Sequence, residues 1–68
     1  MYKNMFISKM KLFGDSQKTL AEAIGTSESR TNAKINEYND AEFTLGEIKI
    51  IMNRYELTPD EVVQIFLA

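Results

Sequence analysis

Twice in its C-terminal third the chain writes the same helix-start signal, and nothing else in it limits the possible folds as much. In "FTLGEI" Thr44 stands three residues before Glu47, and in "LTPDEV" Thr58 stands three residues before Glu61. Each is a capping box: the threonine hydroxyl accepts the backbone N–H of the third helical residue, and the glutamate reaches back to the N–H of the threonine. Phe43 with Ile48, and Leu57 with Val62, supply the apolar pairs of two hydrophobic staples, while Pro59 takes the first helical position, where its missing N–H costs nothing. Helices over 45–54 and 59–67 follow, joined by so short a connection that the second must turn back on the first.

The first half carries weaker versions of the same punctuation. Ser16 is a good N-cap for a helix over 17–24, whose Leu20, Ala21 and Ile24 share one face, and Gly25 suits the left-handed C-terminal position. Thr26 or Ser27 then caps a helix over 28–36 with a thin buried side, Thr31 and Ile35. Phe6, Met10 and Phe13 recur at helical spacing over 4–13, and Gly14 supplies the stop. Leu45, Ile48, Ile51, Met52 and Tyr55 mark the buried side of the fourth helix. The last helix is apolar over more than one face: Val62 and Phe66 complete a core, leaving Val63, Ile65 and Leu67 for a homodimer. The expected fold is all-α, a compact bundle of five helices forming one domain over residues 1–68.

Composition narrows the function classes. A chain of 68 residues has room for one modest core and none for a large enclosed cleft. Cysteine and histidine are both absent, which removes thiolate nucleophiles, imidazole bases and the usual zinc ligands. The acidic residues match no calcium-loop pattern. No catalytic residue, metal, cofactor or small-molecule ligand is therefore expected. No apolar run is long enough to span a bilayer and no leader pattern opens the chain, so a cytoplasmic location is expected. The net charge of -2 is unevenly spread. Basic groups outnumber acidic ones before residue 39 and the reverse holds after it, so a polyanionic partner would have to face the first half.

The helices over 17–24 and 28–36, joined at Gly25-Thr26, form a helix-turn-helix pattern, in which the second helix enters a major groove and the first lies across the backbone. The outer face of that second helix suits the groove. Ser29 and Asn32 can approach base edges, Asn pairs bidentately with adenine, and Arg30 reaches guanine or a phosphate. The same residues also fit a solvated helix face, and glycine corners are common between packed helices.

"QKTLAEAIGTSESRTNAKIN" followed by "FTLGEIKIIMNRYELTPDEVVQIF" resembles the small helix-turn-helix proteins of temperate phages, the Cro and CI-type repressor family and its relatives in Gram-positive bacteria. The resemblance covers about residues 8 to 67. It rests on the glutamine after the second helix's cap, the "LAEAIG" core-and-turn pattern, "KIN" at the end of the recognition helix, and "LTPDEV". It implies a lambda-repressor-like DNA-binding domain acting as a small transcriptional repressor or Cro-like regulator, a homodimer on a double-stranded operator in a bacterial cell. Glu28, Ser29, Asn32 and Ala33 fall at base-facing positions. Gln17, Arg30, Lys34 and Asn36 fall at backbone-contacting or bracing positions, with Gln17 placed to steady a side chain of the recognition helix. Two departures stand out: Thr31 replaces a larger apolar residue, and Glu37-Tyr38-Asn39-Asp40 replaces a turn of glycine and a basic residue. The alternative reading is a protein-interaction module on the same scaffold, using the acidic second half or the apolar C-terminal face.

Overall fold

The computed structural model describes residues 1–67, and over that span the backbone is helical wherever a cap and an apolar period coincide. The elements are α1 (Lys3–Leu12), α2 (Gln17–Ile24), α3 (Glu28–Asn36), a single 3-10 turn (Tyr38–Asp40), α4 (Leu45–Arg54) and α5 (Pro59–Phe66). No strand occurs among the described residues. The result is a compact all-helical domain with Cα extents of 27 × 25 × 21 Å. Helix α1 begins and ends one residue earlier than its apolar spacing predicts, and α5 stops one residue short, at Phe66.

Local chemistry accounts for the boundaries. Both capping boxes form: Thr44 Oγ1 accepts the Glu47 N–H at 3.1 Å while Glu47 Oε1 accepts the Thr44 N–H at 2.8 Å. Thr58 and Glu61 repeat the arrangement at 3.2 and 3.0 Å. A third box is one that the serine-or-threonine-to-glutamate rule overlooks, because its far partner is Thr19, whose hydroxyl accepts the Ser16 N–H at 2.9 Å. Helix α1 closes with paired bonds from Gly14 N–H to the Lys11 carbonyl and Asp15 N–H to the Met10 carbonyl, a Schellman end that needs the left-handed backbone of Gly14, φ +72°. Helix α4 ends the same way, except that a non-glycine residue, Glu56, holds the left-handed position at φ 50°.

The core gathers one or more residues from every α-helix: Phe6 and Met10, Leu20 and Ile24, Ile35, Ile51 and Ile65, together with Phe43, Tyr55 and Leu57 from the connections. Phe6 sits at its centre, its ring 5.4 Å from Phe43, 6.1 Å from Tyr55 and 6.0 Å from Phe66. Those separations and tilts are in the attractive range for aromatic pairs. Tyr55 is fully buried because its hydroxyl is satisfied, donating to Asp15 at 2.7 Å. Leu45, counted with the α4 core stripe from its spacing, is instead exposed, since it occupies the first position of the helix, ahead of the packed turns.

The C-terminal face needs one correction. Ile65 is completely buried and belongs to the core, so it cannot form part of an exposed dimer face. Its carbonyl also accepts the Tyr2 N–H at 2.6 Å, which pins it against the start of α1. Val63 and Leu67 are exposed, at 54% and 75%. The sequence misassigned Ile65 because an eight-residue helix that is apolar over several faces has no unambiguous stripe.

Candidate nucleic-acid interface

Helices α2 and α3 meet at a corner of three residues, Gly25 to Ser27. Gly25 adopts φ 76°, and the following Thr26 N–H closes onto the Ala21 carbonyl at 3.0 Å. Ser27 restarts the chain as a helix, its hydroxyl accepting the Arg30 N–H at 3.1 Å. Leu20, Ala21 and Ile24 of α2 face the core, as do Thr31 and Ile35 of α3. Thr31 is tolerated there because its hydroxyl donates to the Ser27 carbonyl at 3.0 Å, so no polar atom is left unsatisfied.

The outward residues of α3 fall into two groups. Glu28, Ser29 and Arg30, in the first turn, are all exposed, and no hydrogen bond or ion pair among the described residues engages their side chains. Asn32, Ala33, Lys34 and Asn36 are half-buried, and the three polar ones are engaged. Asn32 Nδ2 donates to Gln17 Oε1 of α2 at 3.0 Å. Lys34 Nζ donates to both Glu47 carboxylate oxygens of α4, at 2.8 and 2.7 Å. Asn36 donates to the Asn32 carbonyl at 2.9 Å and accepts from Lys3 of α1.

The expectations for these residues therefore divide. Gln17 does steady a side chain of the third helix, and that side chain is Asn32. Asn32 keeps a free Nδ2 hydrogen and its Oδ1 lone pairs, the two groups a bidentate contact to adenine would use. Lys34 is not a free cation: it is paired, with side chains of lysine and glutamate only 17% and 12% exposed. Of the two roles expected at this position, backbone contact or bracing, the pairing is of the bracing kind, and its origin is tertiary, since α4 brings Glu47 across from thirteen residues away. Asn36 is likewise largely occupied. Burial pushes the Glu47 carboxyl up, but the hydrogen bonds from Lys34 and the Thr44 N–H together outweigh it and hold the group below its ordinary range.

Spacing alone gave no sign of Glu47 and Lys3 as partners of α3, or of the cluster that seats α2. Asp15, just before the α2 cap, is gripped by Arg54 through Nε and Nη2, both at 2.6 Å. Thr19 donates to it as well, at 2.7 Å. This ties the start of α2 to the end of α4. Glu37, which caps the end of α3, and Asn39 and Asp40 in the exposed 3-10 turn that follows all take left-handed backbone, and none of them is glycine.

Comparison of the chain with protein-family models, curated proteins and solved structures finds no match. Among the described residues, no helix is long and apolar enough to cross a membrane, and no three His, Cys, Asp or Glu residues group as metal ligands would.

Proposed function

We propose that the chain binds double-stranded DNA in a sequence-specific way and regulates transcription, with α2 and α3 as a helix-turn-helix on a lambda-repressor-like scaffold and α3 as the recognition helix. The observation that carries this reading is the Gln17–Asn32 hydrogen bond, which presents a half-buried asparagine from α3 with its base-pairing groups still free, beside exposed Glu28, Ser29 and Arg30. In this arrangement Asn32 and Ser29 read base edges, Ala33 offers an apolar contact to a thymine methyl, and Glu28 accepts from a cytosine amino group. Arg30 takes a phosphate or a guanine. The start of α2, with Gln17 and exposed Lys18, rests on the backbone, its first amides directed at phosphate oxygens.

Two copies bound through the Val63 and Leu67 face would read a paired operator, with half-sites one helical turn, about 34 Å, apart. Regulation follows from occupancy, by excluding a polymerase or a rival regulator.

A salt titration with random duplex DNA tests the reading. Affinity should fall steeply between about 50 and 200 mM salt, as counterion release requires. Absence of binding at low salt, with the protein folded, rejects it. Arg30→Ala should weaken all sequences alike if Arg30 meets a phosphate, and relax one base position if it reads a base.

The second reading, a protein-interaction module, draws on a specific feature: a cavity of about 410 Å³ between Phe43, Ile48, Phe66 and Leu67, edged by Glu37 and Glu42. The same titration separates the two, because a protein partner would leave random DNA unbound.

A further inference from the structure

Helix α3 has an unusually thin apolar seam. Of its nine residues, only Thr31 and Ile35 are buried. Two buried side chains, one of them polar, leave a short helix free to roll and tilt, because most helical stability in a protein comes from packing an apolar face. Polar struts from three other helices compensate: Gln17 of α2 meets Asn32, Glu47 of α4 meets Lys34, and Lys3 of α1 meets Asn36.

We propose that Lys34 and Glu47 are a positioning pair, which sets the C-terminal half of α3 against α4 and so aims the base-reading face, and that Lys34 is not a phosphate ligand. The proposal rests on the DNA-binding reading above.

Three observations single out this pair. Lys34 Nζ bonds to both carboxylate oxygens, which fixes direction as well as distance. Both side chains are largely withdrawn from water, so salt screens them less than it would an exposed pair. Glu47 is also held before Lys34 reaches it, because Oε1 already accepts the Thr44 N–H in the α4 capping box. The lysine thus docks on a carboxylate whose orientation is fixed by a helix start. Beyond Asn36 the restraint is looser: Glu37 turns left-handed, its carboxylate, 47% exposed, meets only the Met1 ammonium at 3.0 Å, and the following turn is exposed.

The test uses three variants of the whole chain. Lys34→Met keeps the aliphatic stem and removes the ammonium. Glu47→Gln removes the charge yet still closes the capping box, which accepts either Glu or Gln. The third variant combines them. Binding to the tightest duplex selected from a random library, and to random duplex, is measured across a salt series.

Each single variant should lower the ratio of selected to random affinity by about tenfold, and the double should be no worse than either, because only one interaction is there to lose. The slope of log affinity against log salt should not change. A slope shallower by about 0.9 in Lys34→Met, with all sequences weakened alike, would identify a phosphate ligand and overturn the proposal. So would tighter binding by Glu47→Gln, or an unaltered ratio in both single variants. If the native chain binds no duplex, the DNA reading fails, and amide hydrogen exchange then tests the pair by itself. Residues 32–36 should exchange faster in both single variants with α2 unaffected, and unchanged rates would reject the pair.

Discussion

Asp15 accepts hydrogen bonds from two nitrogens of Arg54, from the Tyr55 hydroxyl and from the Thr19 hydroxyl, and its side chain is only 4% exposed. The Arg54 guanidinium holds its carboxyl far below the usual carboxylate range, with the Tyr55 and Thr19 hydroxyls adding to the effect against the opposing push of burial. Burial and the Asp15 hydrogen bond push the Tyr55 phenol up. Truncation by Asp15→Ala should cost about 2 kcal/mol, read from urea unfolding, the magnitude expected of hydrogen bonds to a charged group. The loss is held to that range because Arg54 is 36% exposed and can return to water. A carboxylate whose folded pKa is depressed stabilises the fold above its unfolded value, about 3.9, and that contribution is lost as pH falls through the folded value. Glu47 and Glu61 are depressed too, and act with the same sign. Stability measured by thermal unfolding should therefore hold from about pH 5 upward toward neutrality and fall below about pH 4, with a shallower acid limb in Asp15→Asn.

Helix ends carried most of what could be read before the structure was known. Three of the five α-helices, α2, α3 and α4, keep their expected bounds, and their starts were the legible part, because N-capping is a contact between residues three or four apart and is written in the local sequence. The same locality explains the Gly25 corner. What was illegible depends on which helices meet: Asp15 and Arg54 lie 39 residues apart, and no local pattern marks them as a pair. No local pattern marked Glu47 as the partner of Lys34 either, and Ile65 had the right composition for an interface until α1 covered it. At the level of the outer face, Gln17 and Asn32 were placed by analogy, and the geometry adds the bond between them. One element boundary is open to improvement. Glu56 closes α4 in a left-handed backbone, φ 50°, where an L side chain is disfavoured and glycine is not. Glu56→Gly should raise the unfolding free energy by up to about 1 kcal/mol, measured by chemical denaturation, with glycine's extra freedom in the unfolded chain limiting the gain.

Charge and shape act over the whole molecule. Of its eight basic side chains, Lys9, Lys34 and Arg54 are committed to ion pairs, leaving few to meet phosphates on the α2–α3 side. With exposed Lys18 and Arg30 on α2 and α3, and Lys3 held only by the neutral Asn36 at the end of α3, the salt dependence of random-duplex binding should have a slope no steeper than about -3 per copy. Under the proposed function, tight operator binding would then depend on two copies acting together. If two copies pair through the Val63 and Leu67 face as proposed, Leu67→Asp, at a 75% exposed position, should leave helix content intact, abolish self-association in sedimentation velocity, and weaken operator binding far more than half-site binding. The bond from Tyr2 to the Ile65 carbonyl and the contact of Phe6 with Phe66 close the bundle between its first helix and its last. Phe6 of α1 packs on Phe43 and Tyr55 as well, but its packing is complete only when α5 supplies Phe66. A fragment lacking α5 should accordingly expose apolar rings and aggregate where the longer chain does not, which light scattering of the two would compare.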